Sequence, residues 1–189
     1  MYQISFNIVK KTMRCLVLLL FLSNVAFAQQ YMSKEGSVHF FSEAPIENIE
    51  AENNTVVGII DVASGEFAFR VKIEDFKFAK SLMQEHFNEN YMESERYPFA
   101  TFTGFIPDFQ KLDFFNRQVV QVNGEMTMHG VEQPMNIEAS VWIQDEELYL
   151  ISKFGIKLAD FQIDIPKIVI YNIAEEVVVT IQMQLSQVK

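Results

Sequence analysis

The stretch Met135-Asn-Ile-Glu-Ala-Ser-Val-Trp-Ile-Gln144 places an apolar side chain at every odd position, with mostly polar residues between. Val177-Val-Val-Thr-Ile-Gln-Met-Gln-Leu185 does the same. A period of two marks strands with one dry face and one wet face. It recurs along most of the chain, which predicts antiparallel strands closing or stacking over an apolar interior.

Eight strands are expected: Ser37–Ser42, Thr55–Asp61, Glu66–Glu74, Phe99–Ile106, Gln118–Met128, Met135–Gln144, Glu147–Lys157 and Glu175–Ser186. About eight is the usual number for a small closed barrel, so the expected fold is all-β, an antiparallel closed barrel. Ser64-Gly65 and Asp145-Glu146 read as turns, and His129-Gly130 through Gln133-Pro134 as a break between the fifth and sixth strands. One segment departs from the alternation. Phe78, Leu82, Met83, Phe87 and Tyr91 recur at helical spacing, with His86 on the same face. They predict one amphipathic helix over about 81–90, opened by a capping box of Ser81 and Gln84 and packed at a barrel end. Ala159–Ile173 reads as an edge or crossing loop, because Pro166 cannot donate to a ladder.

The first residues are a separate matter. Lys10, Lys11 and Arg14 precede the apolar run Cys15–Leu22, and Ala26-x-Ala28 follows. These are the parts of a secretory signal, and the run is shorter than the ~20 residues of a membrane span. The expected division is a signal peptide over 1–28, whether translation starts at Met1 or Met13, and a single domain over 29–189. An exported, periplasmic protein with no membrane insertion after signal cleavage is the consequence. The only cysteine lies in the signal, so a large core rather than disulfides must hold the domain together. The first 28 residues hold three of the 15 basic residues and no acidic one. The rest therefore carries 12 basic against 25 acidic residues, a net charge of −13. Such a surface repels phosphates, which excludes nucleic acid as a partner.

Strand parity assigns the interior. Val38 and Phe40 share a face, as do Phe67, Phe69, Val71 and Ile73 opposite Arg70 and Lys72. Phe102, Ile106, Val120, Val122, Met126 and Met128 face inward, joined by Ile137, Val141, Leu148, Leu150, Phe154, Ile156, Ile181 and Met183. Trp142 has the opposite parity and points outward. Polar residues on the outer face, among them Glu138, Gln182 and Gln184, argue against a membrane-embedded barrel, whose outer face is apolar. The interior is rich in Phe, Met and Ile. It is either a core filled by its own side chains or a tunnel for a long apolar ligand.

Chemistry-bearing motifs are scarce. No Gly-x-Ser-x-Gly, phosphate loop or nucleotide-binding glycine turn occurs. His39, His86 and His129 could in principle hold a zinc. They fall on a strand, a helix and a turn, and His39 points outward, so neither a metal nor any other cofactor is expected. Glu85, Glu89, Glu93 and Glu95 read as a solvated acidic helix face. Asn53-Asn-Thr55 spells a glycosylation sequon and nothing more.

Three stretches resemble the YceI-like family. They are Gly124-Glu-Met-Thr-Met-His-Gly-Val-Glu-Gln-Pro134, then His86-Phe87 with Arg96-Tyr-Pro-Phe-Ala-Thr-Phe102, and Phe154-Gly-Ile-Lys-Leu-Ala-Asp160. The chain is similar to a divergent branch, since 86–94 is longer and more polar than usual and Val38-His39-Phe40-Phe41 lacks most of the typical opening. The resemblance implies a lipocalin-like barrel, exported and non-enzymatic, binding a long apolar, isoprenoid-like lipid in its lumen. The lumen residues would be Phe40, Phe67, Phe69, Phe102, Met126 and Met128, with Ile137, Val141, Phe154, Ile156, Ile181 and Met183. Met83, His86, Phe87 and Tyr91 of the helix would cap one end. A filled barrel acting through its surface as an envelope or stress-associated protein is the second expectation, and a metal-dependent enzyme the third. A homodimer is compatible with either of the first two.

Overall fold

The computed structural model describes residues 30–33, 36–43, 48–165 and 174–188. The expected signal peptide and the second half of the 159–173 loop lie outside the described residues. Ten strand segments are present: β1 (Gln30–Ser33), β2 (Gly36–Ser42), β3 (Ile49–Asn53), β4 (Val57–Asp61), β5 (Glu66–Lys72), β6 (Phe99–Phe105), β7 (Gln118–Met128), β8 (Val131–Gln144), β9 (Glu147–Lys157) and β10 (Glu176–Gln187). All pairings are antiparallel. The order β1-β4-β5-β6-β7-β8-β9-β10 closes on itself through β1 and β10, giving an eight-membered barrel.

The two additional segments, β2 and β3, continue β1 and β4 as broken strands. β10 pairs with β1 through Ser186 and Gln187 and with β2 through Val178–Met183. The β2–β3 hairpin thus extends one wall of the barrel. β3 is tied onward by a bridge between Glu52 and Lys77. Asn53 at its end is fully buried, donating to the Lys72 carbonyl at 2.8 Å and accepting from the Thr55 amide and hydroxyl. The sequon spelling at this position is a structural corner.

Turn chemistry sets the hairpins. His129-Gly130 and Asp145-Glu146 each join strands through two residues of positive φ, 53° and 75° in the first and 52° and 67° in the second. That is the turn whose twist matches paired strands. The expected break after His129 is therefore only this turn. Val131–Pro134 already belongs to β8, with Pro134 opposite Glu125. β9 pairs with β8 only over Ala139–Gln144, so the proline sits where β8 is paired on one side, the setting in which a missing N–H is tolerated.

The helical segment comprises α1 (Ser81–His86) and a wider turn, Phe87–Tyr91, closed by the Met92 N–H on the Phe87 carbonyl at 2.9 Å. The capping box is replaced. Lys80 takes the N-cap position, and the Gln84 amide oxygen accepts instead from the Phe78 N–H at 3.4 Å. The Phe87 ring packs among Phe40, Phe76 and Phe78 at centroid distances of 5.0 to 5.6 Å. Aromatic pairs of this kind contribute ~0.5–1.5 kcal/mol each beyond area burial, and they fix the helix across one end of the barrel.

Candidate ligand-binding site

The barrel interior is not uniform along its axis. The end carrying the Ser64-Gly65 and Asp145-Glu146 turns is closed to solvent. Ile60, Val141, Leu148, Leu185 and Phe109 are completely buried there. At the helix end the interior encloses a cavity of about 310 Å³. Its walls come from the upper inward residues of β2, β5, β6, β7, β9 and β10, with the helical segment across the top.

Of the lumen residues expected from parity, Phe40, Phe69, Phe102, Met126, Met128, Phe154, Ile156 and Ile181 line this cavity. Met83, His86, Phe87 and Tyr91 line it from the helix. Phe67, Ile137, Val141 and Met183 do not. They face inward as their phase requires, with exposures of 5, 8, 0 and 3%, but lie in the filled half or behind the cavity wall. The reason is height, which a period of two does not encode. Lining residues that the strand pattern did not nominate include Ile49 on the short β3, Phe76 and Phe78 on the link to the helix, and Ile163 beyond β9. Phe76, Phe78 and Ile163 lie outside regular strands. Val177 and Val179 also line it, and their alternation was visible in the sequence from the start.

The cavity's polar lining is sparse. Ser42 is fully buried, and its hydroxyl accepts the Ala174 N–H at 3.0 Å. Burial pushes the Tyr91 phenol above its usual range, so it stays neutral. His86 is exposed and also lines the cavity, which places the mouth beside the helix. His39 points outward, 3.4 Å from Glu50.

His129 has a specific task. Its Nδ1 faces the Phe161 carbonyl at 3.1 Å, its Nε2 faces Glu93 Oε1 at 3.3 Å, and the Tyr97 ring packs edge-on at 4.8 Å. Both oxygens are hydrogen-bond acceptors. Three connections at the cavity end are thereby clasped together. Glu93 is held between His129 and Arg96, unlike the solvated Glu85, Glu89 and Glu95. Among the described residues no group of three His, Cys, Asp or Glu converges as a metal site. None of their helices is long and apolar enough to cross a membrane.

Outside the barrel, Trp142 stacks on Tyr149 across β8 and β9 at 5.3 Å, with the Arg117 guanidinium 4.8 Å from its ring. Its outward assignment holds.

The YceI-like domain model matches residues 29–185. A polyisoprenoid-binding domain from Saccharophagus degradans implicated in plant cell wall breakdown superposes with a TM-score of 0.73 at 16% identity, covering 85% of this chain and 99% of that one. BcnA of Burkholderia cenocepacia gives 0.67 at 16%, covering 80% and 96%. The YceI protein of Campylobacter jejuni gives 0.59 at 15%, covering 78% and 89%. No curated protein sequence matches the chain. At these identities the structures speak for the shared barrel alone, while the domain match runs through β1–β9 and most of β10, and on that ground the chain belongs to the YceI-like family.

Proposed function

We propose that this protein is an exported, non-enzymatic binding protein that holds the apolar chain of an isoprenoid-like lipid in the hollow half of its barrel. The observation that carries this reading is the cavity of about 310 Å³ walled almost wholly by carbon and reaching solvent beside His86. Burial there would supply roughly 25 cal/mol per Å² of chain removed from water, with little dependence on tail chemistry. The likeness to a domain described as polyisoprenoid-binding supports the ligand class, and the signal-like residues 1–28 support export. The Trp142–Tyr149 stack on the outer face favours a second reading, a barrel that meets a partner through its surface.

Native mass spectrometry of protein isolated from its own cell envelope separates the two. An added mass in the lipid range, lost in Phe102→Trp with the fold retained, is the expected result. A clean protein mass together with no uptake of offered prenyl lipids would move the assignment to the outer face.

A further inference from the structure

We infer that the barrel measures chain length: the cavity takes a single tail of about three isoprene units, inserted end first and stopped by Phe102 and its aromatic neighbours. This deepens the proposed function and rests on it. The stop is an aromatic shelf at mid-height. Phe69 and Phe102 line the cavity, whereas Phe67 stands behind them, 5.5 and 5.0 Å from their centroids, and lines nothing. Below Phe67 the inward side chains of Ile60, Val141, Leu148 and Leu185 are completely buried.

Inward-facing glycines let the shelf exist. A Cβ at Gly58, paired across from Phe69, would collide with that ring, and one at Gly124 would collide with Phe102. Each large side chain therefore leans onto a neighbouring strand where that strand carries no side chain. The rings are seated by shape, not left as adaptable filler.

Two independent measures give the same capacity. A dry apolar cavity of about 150 Å³ holds one benzene ring. The present 310 Å³ therefore has room for roughly 12 to 15 carbons on that scale. Depth gives the second measure. From Phe69 on β5 to Ile73 just past its end, and from Ile181 to Val177 on β10, the cavity wall spans four residue steps, or about 13 Å at ~3.3 Å per residue. An extended chain with bonds of ~1.5 Å covers this in roughly ten bonds, the main chain of two to three isoprene units. The sparse polar lining offers little to a headgroup at depth, so the apolar end enters first. Any further length must leave through the mouth beside His86.

The test is calorimetric titration of the full chain with prenyl alcohols of two to eight isoprene units. Affinity should rise roughly tenfold or more per unit up to about three units, and less than about twofold per unit afterwards. Phe102→Ala should move the plateau about one unit longer. Phe102→Leu, a milder change that keeps the fold if the alanine does not, should move it part of the way. Affinity that climbs steadily to eight units would overturn the length limit and leave the lipid-binding function standing. A plateau that neither variant moves would remove Phe102 as the stop. Failure of every alcohol to bind would take down the proposed function itself, and this inference with it.

Discussion

The two halves of the barrel share strands, parity and composition, yet one is filled and the other hollow. Phe67 and Phe69 sit two residues apart on the same face of β5, and only Phe69 touches the cavity. Val141 is completely buried while Phe154, inward by the same alternation, lines open space. The difference lies in the end closures. The filled end is plugged by Ile106 and Phe109 of the β6–β7 connection, with exposures of 1 and 0%. At the other end the helical segment roofs the space without entering it. Packing is thus divided along one axis, with completely buried side chains in one half and an open cavity in the other.

The largest test of that division is a pair of truncations. Leu148→Ala in the filled half should cost about 2–5 kcal/mol, the transfer term plus an unrelieved cavity. Phe154→Ala should cost only about 1–2 kcal/mol despite removing more atoms, because one side of its ring already lacks partners. Urea unfolding with unchanged m-values measures both. Equal losses would mean that the hollow half is packed in solution. Ligand uptake should change in the reverse order.

How much of this division was readable in the sequence follows from the same residues. Strand phases were legible because in-or-out alternation is a local property, and the residues assigned inward from Val38 to Met183 are buried or half-buried against the core. The helix was legible from Phe78 to Tyr91 for the same reason. Height along the barrel was not, because it depends on the register of eight strands and on what each end loop inserts. β1 and β3 were missed, being 4 and 5 residues long with weak apolar content. Phe76 escaped because it belongs to a link, where periodicity has no meaning, and Phe78, read as part of the helical face, lies on that same link before Ser81. The shelf needed knowledge of which glycine faces which ring.

A smaller effect comes from the clasp. His129→Asn keeps a residue that tolerates positive φ and removes both ring contacts, to the Phe161 carbonyl and to Glu93. Two hydrogen bonds at ~0.5–1.5 kcal/mol each set a global loss of about 1–3 kcal/mol. Hydrogen exchange should speed up in residues 86–97 and 158–163 and stay unchanged around 60–66. Uniform acceleration would show that the two ends are not separately held.

The filled end offers the smallest change, and its sign is fixed. Asp61 opens the β4–β5 turn, where Oδ1 accepts the N–H groups of Ala63 at 2.9 Å and Ser64 at 3.1 Å, and Oδ2 faces Gln30. The Ser64 N–H above all holds this carboxyl below its ordinary value of 3.8, with burial opposing and the other bonds assisting. A pKa lower in the folded chain than in the unfolded one means that the anion favours folding. That contribution is complete above about pH 3.8 and disappears as pH falls through the folded value. Asp61→Asn should therefore lie slightly below the parent in Tm at neutral pH, and the gap should close on acidification. The effect stays small because the group sits at the surface and the packed end beneath it holds without help. A gap that widens toward acid would show that the carboxylate opposes folding, and that this turn is strained against the packing it covers.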